Sequence, residues 1–298
     1  MIDNPTQDEP PLAHAGDLLD ALENTHPRLG ALLHQSDQAR TLTLALLRSD
    51  ETGTLDAIEA ASRLLFGIAD WVAKQPAPLA AEFASRITSD FIDAIDGMLE
   101  HKLCAVLDPS RDLMELSVLF REFHLHPGSF DEWQRADEVH RLGKFSFGRL
   151  LAKHRERPIS GLSDIESAFA EYTQHSRTLH PAAPLTDRNE LARAPVRLSV
   201  DGVLEWAHRM TSETLRHTMI AFLEFIAWHA ERPDRVVADS TVEIDLELDD
   251  YQVVLDWMDS DAEARKGMIP AEFMEAFEAP YRRRPKPDRN TPDADPRK

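Results

Sequence analysis

Apolar residues recur along most of this chain at steps of three and four, the period of a helix that buries one face. Leu29, Leu32, Leu33, Leu42, Leu44, Leu46 and Leu47 predict a helix from Pro27 to the break at Ser49–Gly53, and a shorter run with Leu18, Leu19 and Leu22 precedes it. Leu55, Ile58, Leu64, Leu65, Ile68 and Trp71 predict the next, capped by Thr54 or Asp56 and stopped by Pro76-Ala77-Pro78. Phe83, Ile87, Phe91, Ile95, Met98 and Leu99 form one stripe of a long helix over 79–106. Asp108-Pro109-Ser110 then reads as a fresh start, with Asp as the cap and Pro at the first helical position. That helix carries Leu113, Met114, Leu116, Leu119, Phe120 and Phe123 and ends near His126-Pro127-Gly128.

Residues 130–157 predict one or two short helices with a break at Gly143. Ser163-Asp-Ile-Glu166 is a capping box opening a helix to about His175, and the three prolines of 180–197 mark a crossing loop. Ser199 opens the longest helix, to Ala230. Its second half, Met219 to Trp228, is apolar around most of its circumference, the pattern of a central buried helix.

The period changes once. Thr241 to Asp249 places Val242, Ile244, Leu246 and Leu248 between acidic residues in strict alternation, which reads as a half-exposed strand or an extended acidic arm. A lone strand needs a partner, either a second copy or another segment of the chain. A short helix over Pro270–Phe277 follows. The expected organisation is a loose arm over 1–11, a helical bundle over 12–232, an extension over 233–279 with the strand or arm and short helices, and a disordered tail over 280–298. The expected fold class is all-α, a multi-helix bundle with one short strand or extended arm near 241–249.

Composition supports helix over sheet, with only 11 Gly and 3 Tyr, and a hydrophobic fraction of 42% is enough for a real core. The net charge of −20 repels phosphate backbones and anionic lipid unless a basic cleft is segregated. The basic run Arg282-Arg283-Arg284, with Lys286 and Arg289, is diluted by Asp288, Asp293 and Asp295 and reads as a solvated tail. The most apolar stretch is half the ~20 residues a membrane span requires, and the N-terminus has no signal-peptide pattern, so a cytoplasmic protein is expected. Arginine outnumbers lysine 26 to 7, a bias of GC-rich bacterial genomes. The single cysteine, Cys104, lies among Leu103, Ala105 and Val106 and reads as a small buried apolar side chain.

Base rates decide most of the candidate chemistry. Arg followed by four to six residues and His is the signature of the HEPN helical ribonucleases, in which the pair would activate a hydroxyl and stabilise phosphate charge. Arg149/His154, Arg121/His126, Arg135/His140 and Arg28/His34 all fit, and chance alone yields roughly three such pairs in a chain of this composition. Glu-x-x-His, an element of di-iron bundles, occurs at Glu205/His208 and Glu23/His26, against roughly one by chance. Glu224, amid the most apolar stretch, is expected on a narrow solvated strip or paired with an arginine. His124 and His126 diverge on a helix and lack a third ligand nearby. Glycine-rich phosphate loops, nucleophile elbows and zinc-protease motifs are absent from the sequence, so neither a metal nor a cofactor is expected.

Arg111 and Glu115, four apart on one helix, can pair; Ser176-Arg-Thr-Leu-His180-Pro181 follows later, then a polar loop and the long apolar helix. This order resembles a family of uncharacterised bacterial all-helical proteins, sometimes found near defence genes, in which an Arg-x-x-x-Glu helix precedes a Ser-x-x-x-His-Pro segment. The resemblance covers about residues 80–230. It implies a helical fold and points to Arg111, Glu115 and His180 as binding residues. The function expected is a non-enzymatic interaction or regulatory module whose partner is another protein or, as a homodimer, itself. The alternative is a HEPN-like, metal-independent ribonuclease or toxin-type effector in bacterial stress or phage defence, with Arg149 and His154 as its catalytic pair.

Overall fold

A computed structural model describes residues 25–75, 77–154, 172, 200–230 and 248–268. The described residues are helical throughout apart from short connections, so the protein is an all-α multi-helix bundle. The helices are α1 (Pro27–Ser49), α2 (Thr54–Ala73), α3 (Pro78–Leu99), α4 (Leu103–Leu125), α5 (Gly128–Arg135), α6 (Glu138–Phe145), α7 (Phe147–Lys153), α8 (Val200–Ala230) and α9 (Leu248–Met268). The chain divides into two units, Met1–Met258 and Asp259–Lys298. Of the second, only the helical residues 259–268 are described.

Burial explains why each long stripe forms a helix. In α2, Ala57, Ala60, Ala61, Leu64, Leu65, Ile68 and Val72 are buried at steps of three and four. In α3 the same period buries Ala80, Phe83, Ala84, Ile87, Phe91, Ala94 and Met98. Pro78 opens α3 at a position where its missing N–H costs no hydrogen bond. α4 lies mainly between α3 and α8 and buries most of its circumference. At the heart of the bundle Phe83, Phe120, Phe123, Phe130, Phe225 and Trp228 meet with ring centroids 5.1 to 5.8 Å apart, mostly edge to face. Such pairs add about 1 kcal/mol each beyond their area.

The break between α3 and α4 falls at 100–102, not at Asp108-Pro109. His101 takes a left-handed conformation (φ 58°), its N–H bonds Met98 O at 3.2 Å, and the Lys102 N–H reaches back to Gly97 O at 2.8 Å. This is the double bond of a Schellman terminus, built without the usual glycine. The strain is held by the buried His101 ring, whose Nε2 lies 2.8 Å from Thr43 Oγ1. Gly97 allows α4 to pass close by, because a Cβ there would meet Ala105 at 2.7 Å. With α4 already begun at Leu103, Pro109 sits inside the helix and leaves Ala105 O without its usual donor. Burial of Val106, Leu107, Ser110, Leu113 and Met114 around it offsets that loss.

Three further expectations change. Neither Thr54 nor Asp56 caps α2. Gly53 is the cap residue with φ 73°, and Thr54 Oγ1 instead accepts from Trp257 Nε1 at 3.3 Å. The segment after α4 forms three short helices broken at 136–137 and Ser146, with Gly143 inside α6. Asp137 caps α6 by accepting from the His140 N–H at 2.8 Å. Leu248 and Asp249, the end of the alternating stretch, open α9, whose Val254 and Trp257 join the core. Residues 241–247, the helix near 163–175, the loop over 180–197, Pro270–Phe277 and both termini lie outside the described residues.

Candidate functional site

Two polar clusters and one apolar face stand out among the described residues. The first cluster gathers on α3 and α4 around the expected pair. Arg111 Nε lies 3.8 Å from Glu115 Oε1, with Asp108 3.1 Å and Asp112 3.8 Å from its Nη2. Arg86 of α3 joins α4 through Asp112 at 2.6 Å and stands 4.0 Å from Asp90. Tyr172 donates to Glu115 at 2.7 Å and stacks on Phe147 with centroids 4.2 Å apart. Burial, with the Asp112 charge in support and Arg86 opposing, pushes the Asp90 carboxyl up to about 7. The cluster can therefore hold a proton near neutrality. Arg111 and Glu115 are thus brought together, and His180 lies outside the described residues. The sequence reading missed Arg86, Asp90 and Asp112, although Arg86 and Asp90 are four apart on a helix, as Arg111 and Glu115 are.

The second cluster closes the end of α4. Glu122 is almost fully buried. It accepts from Lys153 Nζ at 2.5 Å and faces His154 Nε2 at 3.1 Å and His126 Nε2 at 4.0 Å. The His126 and His154 rings lie 19° from parallel at 6.2 Å. Two of the four Arg-to-His motifs therefore deliver their histidines to one carboxylate. Their arginines go elsewhere. Arg121 pairs with Glu224 of α8 at 2.9 Å, and Arg149 is exposed, with no hydrogen bond or ion pair to His154 among the described residues. Of the two places expected for Glu224, a solvated strip or an arginine pair, it takes the second, and burial holds its carboxyl above the ordinary range against the pull of Arg121. Burial also holds His154 below the usual imidazole range, with Glu122 opposing and Lys153 and His126 in support.

Other singled-out residues have structural employment. His208 lies 2.7 Å from Asp50 while Glu205 points to solvent, which separates that Glu-x-x-His motif. His140 turns to Glu132 at 3.1 Å. Cys104 is half-buried. Among the described residues, no group of three His, Cys, Asp or Glu is placed to hold a metal ion, and no helix is long and apolar enough to cross a membrane.

The apolar face belongs to α1. Leu29, Leu33, Ser36, Arg40, Thr43 and Leu47 follow at alternating steps of four and three and so share one side of the helix, with Leu32 beside them. The C-terminal half of that side is packed. Arg40 reaches Asp96 at 2.6 Å and Glu100 at 2.8 Å, Thr43 meets His101, and Leu47 joins a core with Ala94, Met98, Val106, Ala207 and Met210. The N-terminal half of the same side is open, with Leu29 47%, Leu32 64% and Leu33 38% exposed. No protein-family model matches the chain, and no curated protein or solved structure matches it either.

Proposed function

We propose that the protein is a helical interaction module that self-associates through α1. The open leucines Leu29, Leu32 and Leu33 carry this reading. They continue a side of α1 that is already a packing surface over its second half, so the same residue pattern is repeated where nothing in the described chain covers it. Leucines grouped on one helix face mark interaction surfaces rather than the scattered apolar exposure of any protein.

A second copy is the occupant proposed, because α1 lacks the acidic excess that would repel it elsewhere. Two chains of net charge −20 repel each other over most of their surfaces. α1, like the short α6 and α7, carries a basic excess, with Arg28, Arg40 and Arg48 against Asp37, whereas α3 carries Glu82, Asp90, Asp93 and Asp96 against Arg86. A two-fold contact through α1 would bury six leucines, each contributing roughly 1.5–3 kcal/mol when fully buried, before the cost of association. The ribonuclease alternative draws less support, because Arg121 is tied to Glu224 and His154 is buried against Glu122, away from Arg149.

Sedimentation velocity on the full chain and on a Leu32→Glu/Leu33→Glu variant tests the reading. Both substituted positions are open, so helix content by circular dichroism should not change. The wild type is expected to sediment as a dimer at about 10 μM and the variant as a monomer, since a buried unpaired carboxylate costs several kcal/mol. Equal sedimentation of the two proteins would sink it.

A further inference from the structure

At the end of α4, one buried carboxylate already paired with a lysine also faces two histidines. Glu122 is 1% exposed and is contacted by Lys153 and His154 of the α7 end and by His126, the residue that follows α4. The neighbouring Arg121 has its own partner, Glu224 of α8, which His124 also faces. With the histidines neutral the group is balanced, because Arg121 and Lys153 answer Glu224 and Glu122. A proton on His154 adds a buried positive charge beside a carboxylate that Lys153 already holds at 2.5 Å. Buried charge without a matching counter-charge is among the costliest features a fold can carry.

We propose that Glu122 and His154 form an acid-operated latch, which holds α7 against α4 while His154 is neutral and releases it when His154 is protonated. The latch sits where release is cheap. α7 has seven residues and, besides this contact, is held by Phe147, Leu150 and Leu151. Short elements with few buried contacts open locally at a fraction of the global unfolding free energy. Release exposes those three apolar side chains and frees the Phe147 ring from Tyr172. The sign follows from burial. The folded state holds His154 below its ordinary 6.5, so the stability owed to the neutral ring is complete above that value and is lost as pH falls through the lowered one.

Hydrogen exchange of the full chain, corrected for intrinsic rates, measures this directly at about pH 7.5 and about pH 5.5. Protection of the α7 amides is expected to drop at least tenfold at the lower pH, while amides of α2 and α8 keep theirs. His154→Gln, which cannot take the proton, should abolish the drop. Should that variant not fold, Lys153→Met serves in its place, because Lys153 is 45% exposed and its loss removes no apolar core side chain, while it leaves Glu122 to the histidines alone. With the competing cation gone, Glu122 can accept a charged His154, and release should move about one pH unit lower. Loss of protection in α7, α2 and α8 along one common pH course would overturn the latch, as would a Lys153→Met midpoint equal to that of the wild type.

Discussion

Asp90 shows how a single residue can set the pH response of this fold. Its carboxyl, pushed up to about 7 by burial and by Asp112, binds a proton in the folded state that the unfolded chain gives up near 3.8. The stability it contributes is therefore complete in acid and is lost as pH rises toward about 7, the reverse of the usual paired carboxylate. Asp90→Asn should stabilise the protein by on the order of 2 kcal/mol in urea unfolding at pH ~8 and change little at pH ~4. Destabilisation at both would show that the ionised carboxylate is needed by Arg86. The buried imidazoles oppose this trend. Burial lowers His101 as well as His154, so both cost stability as pH falls below 6.5. Stability should therefore peak between these two regimes.

At the scale of the element, what was legible in the sequence follows from what the physics makes periodic. α1, α2 and α8 lie close to where their apolar spacing put them, because one buried face writes a 3.6-residue period into the chain. The junction of α3 and α4 was hidden. A helix terminus usually signals itself by glycine, and here a histidine takes the left-handed turn while Gly97 works four residues earlier as a contact surface. Gly97→Ala should cost about 1–3 kcal/mol by urea denaturation, since its Cβ would stand 2.7 Å from Ala105. A neutral result would mean that α3 and α4 can part without loss. α9 was masked by the alternation that runs into it. Tyr251, Val254 and Trp257 do recur at steps of three, but the period-two stretch before them reads more strongly. Glu122 carried one local signal, its spacing of four from His126. Nothing local marks its contacts with Lys153 and His154, which come from an element 31 residues away.

For the whole molecule, the all-α class was readable from composition and period together, and the bundle confirms it. The site was readable only in part. Arg111 and Glu115 do meet and Glu224 does find an arginine, whereas the motif pair Arg149 and His154 is parted by burial of one and exposure of the other. What the sequence could not separate was a leucine that packs inside the chain from one that stays open, because both keep the same period along α1. That distinction is the basis of the functional proposal, and self-association is its most direct consequence. Light scattering on the full chain at micromolar concentration should give about twice the 33.7 kDa of one chain. A mass equal to one chain would contradict the proposal.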